Sequence, residues 1–575
     1  MKRQESRMGE KSKREITITS VVLGIVLAVV FGAANAYLGL RVGLTVSASV
    51  PAAVISMGVM RFLLRRDSIL ENNMVQTIGS AGESLAAGAI FTLPALFLWA
   101  QERPDSFTTP GMPQVTAIAL AGGILGVLLM VPLRRPLIVE EEKTLIYPEG
   151  RACAGVLKAG ESGGAGALTV FTGLGAAMAA KFVTGWFKWI PETFLWPIKS
   201  LRVALGFEVS PALLGVGYII GIKTATLLFG GALLGWCVIM PTVTMFNPSA
   251  AALWDAGNVK GVWSGYVRYV GAGAIAAGGL ISLVRSMPLF VRTFRTTFAK
   301  GSGGEKKDDG GGRDMPMRLV LAGAVCVALF IWACPAIPTG LGGALLIALF
   351  GFIFAAISAR MVGLVGSSNN PISGMTIATL VAASLALKAS GTTGTAGMVA
   401  SIAVGSVVCI VAAIAGDTAQ DLKTGRILGA TPWKQQAGEL VGVVASALVI
   451  GGVLLLLHKA WGFGSDAISA PQATLMKVIV EGIMEGGLPW ELLAVGAGIA
   501  VVLALFRIPV MPVAIGIYLS FGLNAAIFAG GVLRWLVERR RGKVDENEDK
   551  GTLFSAGLIA GEGLCGILLA VLALL

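Results

Sequence analysis

The chain has 575 residues, of which 55% are hydrophobic and only 14% charged, and its mean hydropathy is +0.79. Soluble domains carry about 25% charged residues, so this composition excludes a soluble globular protein and describes an all-α polytopic membrane protein. The net charge of +12 does not point to nucleic acid, because the basic residues sit in short segments beside apolar runs, as the positive-inside rule expects.

Residues 1–15, MKRQESRMGEKSKRE, are too polar for a signal peptide and read as a cytoplasmic tail. An N-terminal transmembrane half is expected over 16–284. Its first two spans are Ile16–Leu38 and Val42–Leu64, and the arginines Arg61, Arg65 and Arg66 put both ends of this hairpin inside the cell. The third span runs from near Asn73 to near Trp99 and carries Asn73, Gln76 and Glu83. Glu83 lies roughly 15 Å along that helix at about 1.5 Å per residue, close to mid-membrane. A carboxylate costs a few kcal/mol there, so it is a functional candidate by default. The bland alternative is an acid at a helix end, facing water or bonding a neighbouring helix.

Val115–Leu133 returns to Arg134-Arg135. The inside segment IVEEEKTLIYPEGRACAGVLKAGE is broken at Pro148 and Gly150. It is either an ordinary loop or a loop and helix that enter a water-filled cavity, where non-helical backbone is tolerated at depth. Ala167–Phe187 spans outward to an interfacial belt of Trp186, Trp189 and Trp196 with Lys188 and Lys199. Pro211–Gly221 is short and glycine-broken, which suggests a discontinuous helix; Thr224–Val243 and Val259–Val284 follow, the latter carrying Tyr266, Arg268 and Tyr269. Residues 285–318 include GSGGEKKDDGGG and read as a flexible cytoplasmic linker between halves.

The C-terminal half, 319–575, opens with Leu319–Ala333, Leu341–Ala359, Ile372–Leu387 and Met398–Ala415. The polar stretch DTAQDLKTGRILGATPWKQQ comes next, then Ala437–Leu457 with Glu439 just inside its start. Thr474–Met484 is short and amphipathic, hence re-entrant or interfacial. Leu492–Phe506, Pro509–Leu519, Leu523–Val537 and Phe554–Leu575 complete the chain; Glu562 lies inside the last. The total is about 15–17 crossings, taking about 20 residues for each full span.

The halves resemble one another. Val42-Gly43-Leu44 matches Val362-Gly363-Leu364, from 42 to 362 a shift of 320, and in the same register Ala36 meets Ala356, Ser47 meets Ser367 and Pro51 meets Pro371. Ala-Gly followed by an acid and a hydroxyl residue occurs at Glu83-Ser84 and Asp417-Thr418, from 83 to 417 a shift of 334, after a 14-residue insertion. The crossing count makes the two copies run in opposite senses. Inverted repeats with broken helices, such as the SSNNPISG run, mark alternating-access transporters.

Four motifs carry a resemblance to a known family: NNMVQTIGSAGES, YPEGRACAGVL, GDTAQDLKTG followed by Pro432 and Gln435, and PVAIGIYLSFGLNAAIFAGG. Together they resemble the oligopeptide transporter family, in its prokaryotic yellow-stripe-like branch, over essentially the full chain. The resemblance implies a proton-coupled importer of small peptides or of metals bound to peptide-like chelators. The expected location is the cell's inner (plasma) membrane, crossed many times, with the N-terminus cytoplasmic as the basic tail indicates.

A proton-coupled carrier needs an acid that is alternately desolvated and exposed. The candidates are Glu83 first, then Asp417 and Asp421, whose four-residue spacing puts them on one helical face, then Glu439 and Glu562. Lys423 and Arg426 lie close enough in sequence to hold the aspartates ionised. Asn73, Gln76, Glu149, Arg268, Tyr269, Asn369, Asn370, Gln420 and Lys423 are the substrate-binding candidates; for each amide, interhelical bonding is the plainer role. A passive channel would need rings of identical filter residues, and an intramembrane enzyme a nucleophile–base pair. His458 is the only histidine and there is no GxSxG, HExxH or CxxC, so no enzyme, cofactor, disulfide framework or metal centre is indicated. The expected partners are the substrate, protons and the lipid bilayer; the glycine-rich spans leave a homodimer open.

Overall fold

The computed structural model of the chain describes residues 15–281 and 312–574, apart from 44, 46, 64, 66, 67, 144, 161–164, 276, 279, 280, 368, 369, 371, 466, 487, 488 and 542–549. Among the described residues, ten helices are long and apolar enough to cross a bilayer, and Ser49–Arg61, Met317–Ala333 and Trp490–Leu505 are shorter apolar helices. The chain is an all-α polytopic membrane protein.

Helix α1 (Ile18–Val42) starts at Thr17, whose hydroxyl accepts from the Ser20 amide, and stops at Gly43 in the left-handed region. After a short non-helical link comes α2 (Ser49–Gly58). Ser68 caps α3 (Ile69–Ile90) by accepting from the Glu71 amide. The single span expected here is interrupted at Phe91–Leu93, because Pro94 has no N–H to continue the helical ladder; α4 (Pro94–Glu102) completes the crossing. α5 (Met112–Arg134) returns, α6 (Pro148–Gly160) is the helix of the Pro-Glu-Gly segment, and α7 (Ala165–Lys181) rises to the aromatic belt.

At the belt the chain makes a feature that the sequence does not announce, an antiparallel hairpin of β1 (Thr193–Ile198) and β2 (Val203–Glu208). Ser210 caps α8 (Pro211–Leu233), which is broken at Gly221 (φ 76°, ψ 167°), as the discontinuous-helix expectation requires. The short helices α9 (Met240–Phe246), α10 (Pro248–Asp255) and α11 (Val259–Val262) lead to a helical stretch over 268–275. The expected linker lies outside the described residues as far as 311.

The second half contains α12 (Met317–Ala333), α13 (Gly340–Val365), α14 (Ile372–Ala389), α15 (Gly394–Leu428) and α16 (Pro432–Trp461). A short buried helix, α17 (Pro471–Met484), precedes α18 (Trp490–Leu505), α19 (Val510–Tyr518), α20 (Phe521–Arg541) and α21 (Lys550–Leu574). One expectation is corrected here. The span placed at Met398–Ala415 does not end at Ala415; α15 is one helix of 35 residues. At about 1.5 Å per residue it exceeds a hydrocarbon core of about 30 Å by some turns. Its polar residues after Ala415 continue the helix because neighbouring helices, rather than water, meet their side chains.

Buried α3 and α15 occupy the centre, wrapped by α1, α5, α13 and α16. A second group packs α8 against α19, α20 and α21, and α7 against α21. Its seams are backbone on backbone: a Cβ at Gly217 would stand 1.9 Å from the Ile527 carbonyl oxygen, and one at Gly530 2.1 Å from that of Leu214. Without a hydrophobic drive between helices in lipid, such close approach supplies the packing. Leu341, Leu345 and Leu349 form an exposed stripe on α13, suited to lipid tails.

Two substitutions on α16 test this packing. A Cβ at Gly442 would lie 2.2 Å from the Ile78 carbonyl oxygen on α3, whereas nothing stands within 4 Å at Gly452. Gly442→Ala is expected to lose about 1–3 kcal/mol through overpacking. Gly452→Ala is expected to be neutral or to gain up to about 1 kcal/mol in helix propensity. Thermal unfolding in detergent micelles reads both; equal effects would contradict the seam.

Candidate functional site

Helices α3 and α15 run antiparallel and are stitched by side chains. Gln76 Nε2 donates to Asp421 Oδ1 at 2.5 Å, and one turn further along α3 Ser80 Oγ donates to Asp417 Oδ2 at 2.7 Å. A step of four up α3 thus matches a step of four down α15. The register continues to Gly88, where a Cβ would meet Ile410 Cα at 2.7 Å. Ser49 on α2 joins by sharing a hydrogen bond with Ser80 at 2.8 Å.

Helix α16 adds the third wall. Gln435 Nε2 donates to the Asp421 carbonyl at 3.0 Å and to Thr77 Oγ1 at 3.3 Å. One turn on, Glu439 projects to the same place: Asp417, Asp421 and Glu439 each offer a carboxylate oxygen within 4.8 Å of the others, and all three are buried. Asn73, one turn before Gln76, is fully buried, with neither amide atom in a hydrogen bond.

Glu83 lies outside this trio, on the same face of α3 as Gln76 and Ser80. It accepts from Asn35 Nδ2 on α1 and, at 3.4 Å, from the Ala48 backbone N–H in the link between α1 and α2. A cavity of about 20 Å³ borders it, lined by Ser47, Ala48, Pro51 and, from α21, Ile559 and Ala560. That volume holds about one water.

The matching link in the second half, between α13 and α14, approaches α15. Asn370 Nδ2 donates to Ser358 Oγ at 2.6 Å, and both lie against Gly416, next to Asp417. Ser367 donates to Glu149 at the start of α6. The Gly150 amide there donates to Gln420 Oε1 at 2.8 Å, and Thr424 Oγ1 donates to the Gly150 carbonyl at 3.0 Å. The Pro-Glu-Gly segment is therefore a helix start docked on α15 rather than a free loop. The helix before the link ends at Gly43 in the first half and Gly366 in the second; the shift of 320 would place the second at Gly363, so the structural break comes three residues later. Asn369 lies outside the described residues.

Other candidates are engaged elsewhere. Lys423 and Arg426 do not face the aspartates: they donate to Glu142 at 2.9 and 3.1 Å. The Lys423 ammonium, with Arg426, holds the Glu142 carboxyl below the usual carboxylate range. Arg268 donates to Tyr518 Oη at 2.7 Å and to the carbonyls of Gly464 and Ser469, and stacks over Tyr518 at 4.8 Å. Arg268 and Tyr269 line a cavity of about 230 Å³ with Gln101, Thr474 and Lys477, toward the chain end of α4. Arg268 is thus both braced and presented to a space that admits a solute.

Glu562 belongs to a knot that sequence reasoning misses. Arg41 donates to Glu562 at 2.8 Å and to Glu208 on β2, and Ser210 Oγ and the Ala212 amide also donate to Glu562 at 2.8 Å. Both ion pairs are buried. Arg41 follows an apolar run and carries no motif; only its position at the end of a span hints at it.

A family model described as OPT oligopeptide transporter protein matches residues 15–573. A Haemophilus influenzae protein that carries an oligopeptide transporter name is 36% identical over 93% of this chain and 92% of its own length. Two metal-nicotianamine transporters of Arabidopsis thaliana are 24% and 23% identical, the first over 98% of this chain and 91% of its own, the second over 79% and 73%.

Removing one partner from a buried ion pair costs about 3–5 kcal/mol, because the other charge is left uncompensated. Arg41→Met is therefore expected to lower the unfolding temperature sharply. Adding Glu562→Gln to that variant should restore part of the loss. If the double variant is no more stable than Arg41→Met, the knot is not electrostatic in origin.

Proposed function

The chain belongs to the oligopeptide transporter family, a family of transporters rather than enzymes, and from that premise we propose that it imports small oligopeptides or peptide-like metal chelates by proton-coupled alternating access. It sits in the cell's inner (plasma) membrane with the N-terminus in the cytoplasm. Residues 16–284 and 319–575 act as two repeat-related halves, joined by the cytoplasmic segment 285–318.

The observation that carries this reading is the paired arrangement of breaks and acids. In each half a helix stops, a short link follows, and the link abuts a buried acid-bearing helix: Ala48 beside Glu83, and Asn370 beside Gly416-Asp417. The two acid-bearing helices, α3 and α15, are antiparallel, as inverted repeats require, and discontinuous helices around a buried site are the build of secondary transporters. Glu83 is the proton carrier in this reading. Its surroundings are Asn35 from α1, the Ala48 amide, and Ile559 and Ala560 from α21, with no lysine or arginine in an ion pair with it among the described residues. A peptide or chelate carries carboxylates and amines, and the cavity that presents Arg268, Tyr269 and Lys477 offers cationic and hydroxyl contacts at one rim.

Uptake by proteoliposomes tests the proposal. With labelled di- and tripeptides or an iron–nicotianamine chelate outside, an inwardly directed proton gradient should drive accumulation above the outside concentration, and an uncoupler should abolish it. Glu83→Gln should abolish accumulation above the outside concentration while solute exchange down its own gradient persists. Full accumulation in Glu83→Gln would remove Glu83 from coupling. Equilibration without accumulation in the wild type would instead support a passive facilitator.

A further inference from the structure

The carboxylates of Asp417, Asp421 and Glu439 crowd together within 4.8 Å and are buried. Among the described residues, no lysine or arginine forms an ion pair with any of them; Lys423 and Arg426, the basic residues nearest in sequence on α15, turn to Glu142. Three like charges in a dry interior repel strongly unless protons or a countercharge neutralise them.

The neighbours supply an independent observation. Gln76 gives its Nε2 to Asp421 Oδ1, and its own Oε1 is buried with no hydrogen-bond partner. Thr418 Oγ1, Asp421 Oδ2 and both oxygens of Glu439 are likewise buried and meet no donor from outside the cluster. An acceptor buried without a donor is costly, and Gln76, Asp421 and Glu439 bring such oxygens to one place from three helices. Either protons shared among the carboxyl groups or a bound cation completes such a set, and the hydroxyl and amide oxygens beside it favour a cation.

We propose that Asp417, Asp421 and Glu439, with Gln76 Oε1 and the Thr418 hydroxyl, form a site for one hard divalent cation, Ca²⁺ above all. The donor set is all oxygen, which suits Ca²⁺, Mg²⁺ or Mn²⁺ rather than Zn²⁺ or Cu²⁺. Three ligands spread evenly at about 2.4 Å around one Ca²⁺ ion stand about 4.2 Å from one another, against about 3.5 Å around Mg²⁺ at about 2.0–2.1 Å, so oxygens that lie within 4.8 Å of one another need less contraction to share Ca²⁺. Sodium would leave two of the three negative charges unmatched. A search confined to histidine and cysteine misses this site, because none of its ligands is either. The ion ties α15 to α16 and, through Gln76, to α3. It is a resident of the protein, separate from any metal that arrives inside a chelate, and the proposal stands whichever ion drives transport.

The test uses full-length protein in detergent micelles, stripped with EDTA and titrated with Ca²⁺, Mg²⁺, Mn²⁺ or Na⁺ at constant ionic strength. Calorimetry should find saturable Ca²⁺ binding at one ion per chain, and the unfolding temperature should rise by at least about 2 °C at saturation. Glu439→Gln and Asp421→Asn should lose both responses. In calcium-free buffer Glu439→Gln should unfold at or above the wild-type temperature, since it relieves repulsion, which separates lost binding from misfolding. No saturable response to any divalent ion, a larger response to Na⁺ than to Ca²⁺, or an undiminished Ca²⁺ response in Glu439→Gln would each overturn the site. Proton-driven uptake by the same preparation is read separately, so a failed metal titration with intact uptake overturns this site alone.

Discussion

The fold depends on a polar ladder in an apolar place. Gln76 to Asp421 and Ser80 to Asp417 fix the register of α3 against α15, and neither helix faces lipid. Inside a bilayer a polar side chain must find its partner within the protein, so these pairings restrict the two helices to one sliding position and one relative rotation. Much else depends on that placement. The links between α1 and α2 and between α13 and α14 can reach the acids only because the ladder holds the acid-bearing helices between them. The start of α6 docks on Gln420 and Thr424 for the same reason.

The acids of this chain show how environment assigns roles to one functional group. Glu562 has an arginine, a hydroxyl and an amide around it, and serves as one side of a buried knot. Glu142 sits at a rim between a lysine and an arginine. Among the described residues Glu83 has an amide group and a backbone N–H but no cation in an ion pair with it, and the trio on α15 and α16 has fewer donors than oxygens. The first two are satisfied electrostatically by the protein itself. The others are not, and buried, unsatisfied acids in membrane helices are where coupling and binding chemistry concentrates.

Much of this is legible in the residues. Hydropathy identifies the membrane class and most spans, the glycine at 221 marks a real break, and the Ala-Gly-acid echo points to the two central helices. The failures have physical causes. Hydropathy ends a span where polar residues begin, which cuts α15 at Ala415; a one-dimensional profile cannot know that α3, α6 and α16 supply partners for Asp417, Gln420, Asp421 and Thr424. Pro94 lies inside an expected span but starts a new helix. The β-hairpin at 193–208 hides inside an aromatic belt, since its exposed tryptophan reads as an interface marker. Lys423 and Arg426 lie within one or two turns of Asp421 yet pair with Glu142 instead, and Arg41 carries no motif at all. Its importance comes from β2, α8 and α21, which sequence distance conceals.

The pocket at Glu83 has a consequence of scale. Space for about one water beside Glu83 leaves no room in this conformation for anything the size of a dipeptide. The carboxylate is instead tied to its surroundings by two donors, the Asn35 amide on α1 and the Ala48 N–H, and the second fastens it to the main chain between α1 and α2.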